Sequence, residues 1–391
     1  MKFIPKKKWK RWTLGILGSL LLAGMGVLLL ASPAVGNAPS GEEMKGFAQA
    51  PNHDGKRFVN GLPSGWPSMW ESTKEWTKSS KHGSPVSPPP VERRRKADYA
   101  TAPESGLRIT WLGHSTSLVE LDGAKLLIDP VWSRRISPLS WVGPTRFHEA
   151  PLPLGELPAI DAVLISHDHY DHLDKATVVQ LAAKGLHFVT PLGVGSRLKS
   201  WGIRETQIEE LDWWDETQVQ GLRITATPAR HFSGRSLVMA DRGQTLWAGF
   251  AIRGATQRVF YSGDSGMFPG FAEIGRRLGP FDAALLEVGA YHRLWADLHM
   301  GPEQAASAAR DLQARLLIPV HWGTFNLAMH GWTEPAERLI PAAQALGQAL
   351  AIPKPGQLIE PERPPELQRW WPKLPWESAA QHPVLSSGMP E

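Results

Sequence analysis

Between residues 107 and 330 the chain alternates short apolar runs with polar turns, and the period of that alternation decides which elements it predicts. Residues 108–112, 118–121 and 125–129 are three short runs, the last two joined by Asp122-Gly123, and they predict strands with a hairpin turn. The run Ala162-Val163-Leu164-Ile165 predicts a buried strand, and residues 175–181 follow with helical spacing behind Asp174 at the N-cap position. Further strands are predicted at 187–190, 223–227, 246–252, 258–262, 282–287 and 316–320. Helices are predicted at 194–201, at 302–313 with Pro302 in the first turn, and at 333–346. A run of strands followed by alternating strands and helices is the pattern of a layered α/β domain.

Upstream the pattern changes. Residues 13–31 carry no charge and are mostly apolar, close to the length that crosses a bilayer at about 1.5 Å per residue. Two readings fit: an uncleaved signal anchor, or a signal peptide cut near Ser32-Pro33-Ala34 or Gly36-Asn37-Ala38. The length of the run favours the anchor. The basic residues 1–12 are expected to stay cytoplasmic, which places everything after the anchor on the far, periplasmic-type side; export after signal cleavage is the alternative. Residues 32–106 are a Pro-, Gly- and Trp-rich linker in which Trp66, Trp70 and Trp76 form an aromatic patch expected to wrap over the domain or to touch lipid, packing being the favoured reading. The domain proper is expected at 107–361, followed by a C-terminal tail at 362–391.

Composition adjusts this picture in two places. The net charge of +4 is misleading, because Lys2, Lys6, Lys7, Lys8, Lys10 and Arg11 contribute six positive charges and leave the rest of the chain two charges negative. Basicity therefore sits in the tail, not on a binding face, which argues against nucleic acid as a partner. There is no cysteine, so disulfides and thiolate metal ligands are excluded and any metal must be held by nitrogen and oxygen. The 18 tryptophans suit a core and also a membrane interface.

The chemistry is concentrated in Ser166-His167-Asp168-His169-Tyr170-Asp171-His172-Leu173-Asp174, which a buried strand delivers and a helix carries away. Imidazole and carboxylate together suit Zn²⁺ and similar cations. His231, Asp264 and His321 share the same context, each just past a predicted strand and beside Gly or Pro. Seven candidate ligands are too many for one tetrahedral zinc and fit two metals. The expected division puts His167, His169 and His231 on one Zn²⁺ and Asp171, His172 and His321 on the other, with Asp264 bridging. Two cations sharing a water make hydroxide available at neutral pH and neutralise a phosphate oxygen, so the site suits hydrolysis of phosphodiesters. Ligating histidines need an acceptor on their other nitrogen; Asp129 and Asp174 are candidates for that role, and His114 stands on the same edge.

The spacing Ser-His-x-His-x-Asp-His-Leu-Asp with a later His, Asp and His resembles the metallo-β-lactamase superfamily. That resemblance implies an α/β fold, an αββα sandwich with a dinuclear zinc site at one edge. Asp264 stands where the lactam-cleaving members use cysteine, which points to the hydrolase and phosphodiesterase branches. A narrower resemblance is to the N-acyl-phosphatidylethanolamine-hydrolysing phospholipase D family. It rests on Trp111-Leu112-Gly113-His114-Ser115-Thr116, Gly143-Pro144-Thr145-Arg146-Phe147, the metal loop, Leu211-Asp212-Trp213-Trp214, Gly263-Asp264-Ser265-Gly266, Pro302-Glu303-Gln304-Ala305 and His321-Trp322-Gly323-Thr324-Phe325. By this resemblance Tyr170 and His299 fall at positions linked to substrate or catalysis, and Asp171, Asp264 and His299 are the expected catalytic residues. Two stretches depart from the family pattern, Arg293-Leu294-Trp295 and the loop over 132–141.

The expectation is thus a membrane-anchored zinc phosphodiesterase that splits N-acyl-phosphatidylethanolamine-type lipids into phosphatidic acid and an N-acylethanolamine. A phospholipid substrate and the membrane are its expected partners, and a homodimer is compatible with them. Two other readings stand beside it: a hydrolase of the same fold acting on a lactone or a soluble phosphodiester, and a membrane-tethered, non-catalytic metal-binding scaffold.

Overall fold

The central strands are buried along their whole length, and their side chains divide by parity between two different cores. The computed structural model describes residues 6–389 apart from Trp66. Strands β1 (Leu107–Gly113), β2 (Thr116–Leu121), β3 (Ala124–Ile128), β4 (Ala162–Leu164), β5 (Phe188–Pro191) and β6 (Ile208–Leu211) form one sheet, with the short β13 (Leu358–Ile359) added beside β1. The first three pair antiparallel, and β3 to β6 run parallel. The second sheet has the order β12-β11-β10-β9-β8-β7, from β7 (Glu216–Val219), β8 (Leu222–Thr227), β9 (Gly249–Arg253), β10 (Arg258–Tyr261), β11 (Phe281–Glu287) and β12 (Ala314–Val320). Its β10, β11 and β12 are mutually parallel, so both sheets are mixed.

Ile109, Trp111, Val119, Leu126 and Leu164 point into the core shared with Ile224, Phe250, Ile252 and Leu285 of the second sheet. Their alternate neighbours Leu112, Leu118, Leu127 and Val163 point the other way, onto Val178 and Leu181 of helix α4 (Lys175–Ala183) and Val194 and Leu198 of α5 (Val194–Ser200). Helices α6 (Gly270–Leu278), α7 (Pro302–Asp311) and α8 (Glu334–Leu346) bury Phe271, Ile274, Ala305, Ala309 and Leu339 on the second sheet's side. Two-residue periodicity thus puts helices outside two face-to-face sheets, as expected. The pattern left α6, β6, β7 and β13 unpredicted; each is short, and α6 has Gly at its start and just past its end.

Helix α1 (Lys6–Val35) covers the apolar segment and runs a few residues beyond its expected end. Residues 1–5 of the basic tail lie outside the described residues. Of the α1 side chains the structure describes those of residues 18, 19, 22 and 24–35, and Leu22, Met25, Leu28, Leu29 and Leu30 are exposed. Among the described residues no helix is long and apolar enough to cross a membrane. The last carbonyls of α1, where a helix concentrates negative dipole, are met by domain donors. Lys175 Nζ donates to Pro33 O (2.7 Å), Arg235 Nη2 to Ala34 O (2.9 Å), Trp201 Nε1 to Pro33 O (3.1 Å) and Arg197 Nη1 to Gly36 O (3.1 Å).

The segment after α1 holds α2 (Gly41–Phe47) and α3 (Met69–Trp76), each opened by a Ser/Glu capping box. It lies over the domain: Glu43 bonds Ser196 and Lys199, and Asn60 exchanges two hydrogen bonds with the His231 backbone. The aromatic patch is only partly legible here. Trp66 lies outside the described residues, while Trp70 is 77% exposed and Trp76 also faces solvent, so these two do not pack as expected. The tail past residue 361, which carries no readable pattern, does pack. Trp370 and Trp371 join Trp111, Trp322 and Trp332 in one aromatic cluster, and Ser387 bonds Arg230.

Candidate metal centre

The side chains that carry the chemistry leave the two sheets at one edge, and three of the residues that turn the chain there are strained. His114, Asp129 and His321 all have positive φ (53°, 40° and 63°) without being glycine. Such backbone costs on the order of 1–3 kcal/mol per residue and persists only where the surroundings enforce it. Gly263 also has positive φ, and a Cβ there would meet Ala248 O at 2.7 Å, so glycine is what allows Asp264 to approach the β4 exit.

The seven predicted ligands converge. His167 Nε2 lies 2.9 Å from His169 Nδ1, and His231 Nε2 lies 3.3 Å from the same atom. Asp171 Oδ2 lies 3.5 Å from His172 Nε2 and 3.3 Å from His321 Nε2. Asp264 Oδ2 stands between the two groups, 3.1 Å from His321, 3.2 Å from His172, 3.7 Å from His231 and 3.8 Å from His167. The two trios stand on either side of the central carboxylate.

Tautomers are fixed from behind. His172 Nδ1 donates to Asp129 Oδ2 (2.7 Å) and His231 Nδ1 to Leu298 O (2.8 Å), so each presents Nε2 to the cluster. Asp129 also accepts from the Ser166 amide (2.7 Å), Ser166 Oγ (2.5 Å) and Tyr261 OH, which makes it the post behind the metal loop. Asp174 does not serve as a histidine acceptor. It caps α4 and binds Trp132 N, Ser133 and Thr177, because its side chain lies at the helix start, away from the cluster. His114 is closer than its sequence role suggested: its Nε2 lies 3.0 Å from Asp171 Oδ2. Burial, then the neighbouring His321, hold it down to about 3, so a neutral ring donates to the carboxylate and orients it.

Do these residues fit cations? Several imidazole nitrogens face one another across 2.9–3.3 Å, and buried His172 Nε2 and Asp264 Oδ1 have no hydrogen-bond partner. Burial, reinforced by adjacent histidines, holds His167 and His231 well below the usual imidazole range, leaving lone pairs in the cluster. Burial opposes charge on Asp171 and Asp264, yet the histidines hold both well below the usual carboxylate range. Lone pairs and anions around one space are what a cation takes, and the histidine–aspartate groups are consistent with metal ions.

Protons compete for the same atoms. Burial works against charge on His172 and His321, but Asp264 and Asp171 outweigh it, raising His172 well above its usual value and His321 to about 10. Both rings are therefore protonated at pH 7 without a cation, and metal uptake must displace those protons. Adding zinc to metal-free protein at pH 7 should release at least two protons per chain, one from each ring and a further one where a bound water ionises, read with an indicator dye in weak buffer. Release should decline as pH rises past about 10, and zinc affinity should fall as pH drops.

Next to the cluster, His299 Nδ1 bonds Glu287 Oε2 (2.8 Å), leaving Nε2 as its free nitrogen. Glu287 is fully buried and also accepts from the Ser265 amide (2.5 Å). Burial raises its pKa, with His299 acting against that. Glu287 was missed in the sequence, although a glutamate ending the apolar run Ala283-Ala284-Leu285-Leu286 carried the same strand-exit signal as the ligands. Above the cluster opens a cavity of about 530 Å³ with His169, Asp171, Asp264, His299 and His321 in its wall beside Phe232, Met239, Trp295, Leu298 and Leu327. Tyr170 does not line this cavity. Its hydroxyl donates to Arg235 O (2.8 Å) and its ring lies under the Arg235 guanidinium.

Beneath the metal loop runs an ion network. Arg197 bonds Asp168 (3.1 Å) and Asp241 (2.5 Å), while Arg235 Nη1 donates to the carbonyls of Asp168 and Leu173. Arg197→Met leaves two buried carboxylates without their cation and should cost about 3–5 kcal/mol of stability, measured by urea denaturation.

Comparison with known proteins agrees with this architecture. Residues 124–322 match the model of the β-lactamase superfamily domain. An uncharacterized protein of Mycobacterium tuberculosis is 43% identical over 362 residues, covering 90% of this chain and 96% of that one. The N-acyl-phosphatidylethanolamine-hydrolyzing phospholipase D 1 of Caenorhabditis elegans is 36% identical over 249 residues, 60% of this chain and 69% of that one. Among solved structures, an isothiocyanate hydrolase from Delia radicum gut bacteria superposes with a TM-score of 0.52 at 23% identity, covering 65% of this chain and 98% of its own, and shares the fold.

Proposed function

Since the chain belongs to the β-lactamase superfamily and is one of its metal-dependent hydrolases, we propose that it cleaves N-acyl-phosphatidylethanolamine-type phospholipids in the manner of a phospholipase D. The products are phosphatidic acid and an N-acylethanolamine. The observation that carries this reading is the lining of the cavity. Phe232, Met239, Trp295, Leu298 and Leu327 surround a floor of imidazoles and carboxylates, so an apolar chain and a phosphodiester can be held together. A soluble sugar phosphate or a small polar ester would leave those apolar side chains without contact.

We assign two zinc ions to the cluster, one on His167, His169 and His231 and one on Asp171, His172 and His321, with Asp264 between them. Bound there, zinc supplies Lewis-acid charge and a nucleophilic oxygen at neutral pH. The remaining work falls to the protein. His114 and Asp129 hold Asp171 and His172 in place. His299, braced by Glu287, holds a proton on Nε2 for the departing ethanolamide alkoxide. The apolar wall excludes water from the scissile bond. Helix α1, with its exposed leucines, is assigned to the membrane, with the catalytic domain on the non-cytoplasmic side.

The test is direct. Zinc-loaded protein given N-acyl-phosphatidylethanolamine in mixed micelles should release N-acylethanolamine. No release, together with turnover of a lactone or a soluble phosphodiester, rejects the lipid substrate.

A further inference from the structure

A second cleft, of about 420 Å³, lies where α1 meets the domain and shares no lining residue with the cavity over the metal centre. Four cations line it: Arg134, Arg135, Lys175 and Arg235. None of the four forms an ion pair among the described residues. Arg135 donates to Gly143 O, Lys175 to Pro33 O, and the almost fully buried Arg235 to the carbonyls of Ala34, Asp168 and Leu173. Carbonyls satisfy donors, and those at the end of α1 offset only part of a full charge. The one acid in the lining, Asp174, is already saturated by Ser133, Thr177 and the amides of Trp132 and Ala176.

Four cations converging on one cleft repel one another, and a low-dielectric wall such as that around Arg235 strengthens the repulsion. An anion relieves it. Hydroxyls of Ser137 and Ser140 stand among the cations, so the cleft offers charge and hydrogen bonds together, the combination that recognises a phosphate group. Its surroundings decide between a lipid headgroup and a free phosphate. Ala34 at the end of α1 forms part of the wall, α1 carries exposed leucines, and Trp141 and Val142, directly after Ser140, are exposed. Exposed tryptophan, clustered cations and an apolar helix leaving from one place are the features of a bilayer interface.

We propose that this cleft is a headgroup site for an anionic membrane phospholipid, separate from the substrate cavity, which seats the domain against the bilayer where α1 leaves it. The proposal rests on the membrane assignment of α1 and is independent of which lipid is hydrolysed.

The test uses the full chain in a non-ionic detergent, titrated with dihexanoylphosphatidylglycerol, dihexanoylphosphatidylcholine and inorganic phosphate, with binding followed by calorimetry. The phosphatidylglycerol should bind several-fold more tightly than the phosphatidylcholine and than inorganic phosphate. Arg134 is exposed, so its replacement spares the fold. Arg134→Ala should weaken phosphatidylglycerol binding about five-fold and Arg134→Glu more, as expected for one interfacial cation. Both should leave hydrolysis of a soluble phosphodiester unchanged. Equal affinity for the two lipids, or unaltered affinity in Arg134→Glu, overturns the site. Inorganic phosphate that binds as tightly as the lipid and displaces it overturns the lipid assignment. Failure of N-acyl-phosphatidylethanolamine hydrolysis alone would not change either reading.

Discussion

Asp264→Asn should lower kcat/KM by ~10³-fold or more and reduce the zinc bound per chain, the largest effect expected of any single substitution. The reason is geometric. Asp264 Oδ2 is within 3.1–3.8 Å of four imidazole nitrogens from both trios. Asparagine offers at most one neutral oxygen there, with an amide N–H₂ that repels a cation. The fold should survive. Removing one partner of a buried ion pair costs about 3–5 kcal/mol when the other must stay charged, but His172 and His321 can release their protons instead. Zinc content by atomic emission, kcat/KM and urea denaturation, measured together, separate loss of the centre from loss of the protein. Full activity with two zinc ions per chain would remove Asp264 from the bridging position.

The second large effect is expected at His299, and its signature depends on the substrate. If His299 gives its Nε2 proton to the departing alkoxide, His299→Ala should slow hydrolysis of the lipid by roughly 10²–10⁴-fold. An ester with a nitrophenolate leaving group needs no such proton, so its hydrolysis should fall less than about ten-fold by the same argument. Glu287→Gln should produce a smaller version of the same pattern, about 10–100-fold on the lipid, the usual scale for a residue that orients another. Equal losses on both substrates would make His299 a positioning residue and leave the proton donor elsewhere.

Much of this centre is legible in the sequence because its parts are local. A His-x-His-x-Asp-His loop behind a four-residue apolar run announces both the ligands and the strand that delivers them, and His231, Asp264 and His321 each repeat that strand-exit context. The layered fold is legible for a related reason: two-residue alternation in β1 to β4 assigns each side chain to one of two cores. What the sequence withholds is partner identity over distance. Asn60 holds the His231 backbone from 171 residues away, and Arg197 pairs with Asp168 and Asp241 across separate elements. No local spacing encodes those meetings. Tyr170 shows the other limit. The family resemblance links it to substrate or catalysis, but residues 169–172 form a hydrogen-bonded turn that sends its side chain away from the cluster, toward Arg235 and the second cleft. Trp70 and Trp76 illustrate that tryptophan alone does not reveal whether it is core or surface.

The N-terminal helix is bonded to the same side chains that support the metal loop. The Ala34 carbonyl in its last turn bonds Arg235 and the Gly36 carbonyl just past its end bonds Arg197, the two guanidiniums that also hold Asp168 beneath the metal loop. Placement of α1 and shape of the metal loop are therefore coupled through shared side chains, and the cavity over the metals has a fixed relation to the helix that is assigned to the membrane.

Under this proposal a water oxygen bonds to phosphorus as the P–O bond to the N-acylethanolamine breaks, so the C–O bond of the ethanolamide stays intact. Hydrolysis of N-acyl-phosphatidylethanolamine in ¹⁸O-enriched water, with both products examined by mass spectrometry, tests it most directly. One ¹⁸O is expected in the phosphate of phosphatidic acid and none in the N-acylethanolamine. Label in the N-acylethanolamine, or release of other products from the lipid, would contradict it.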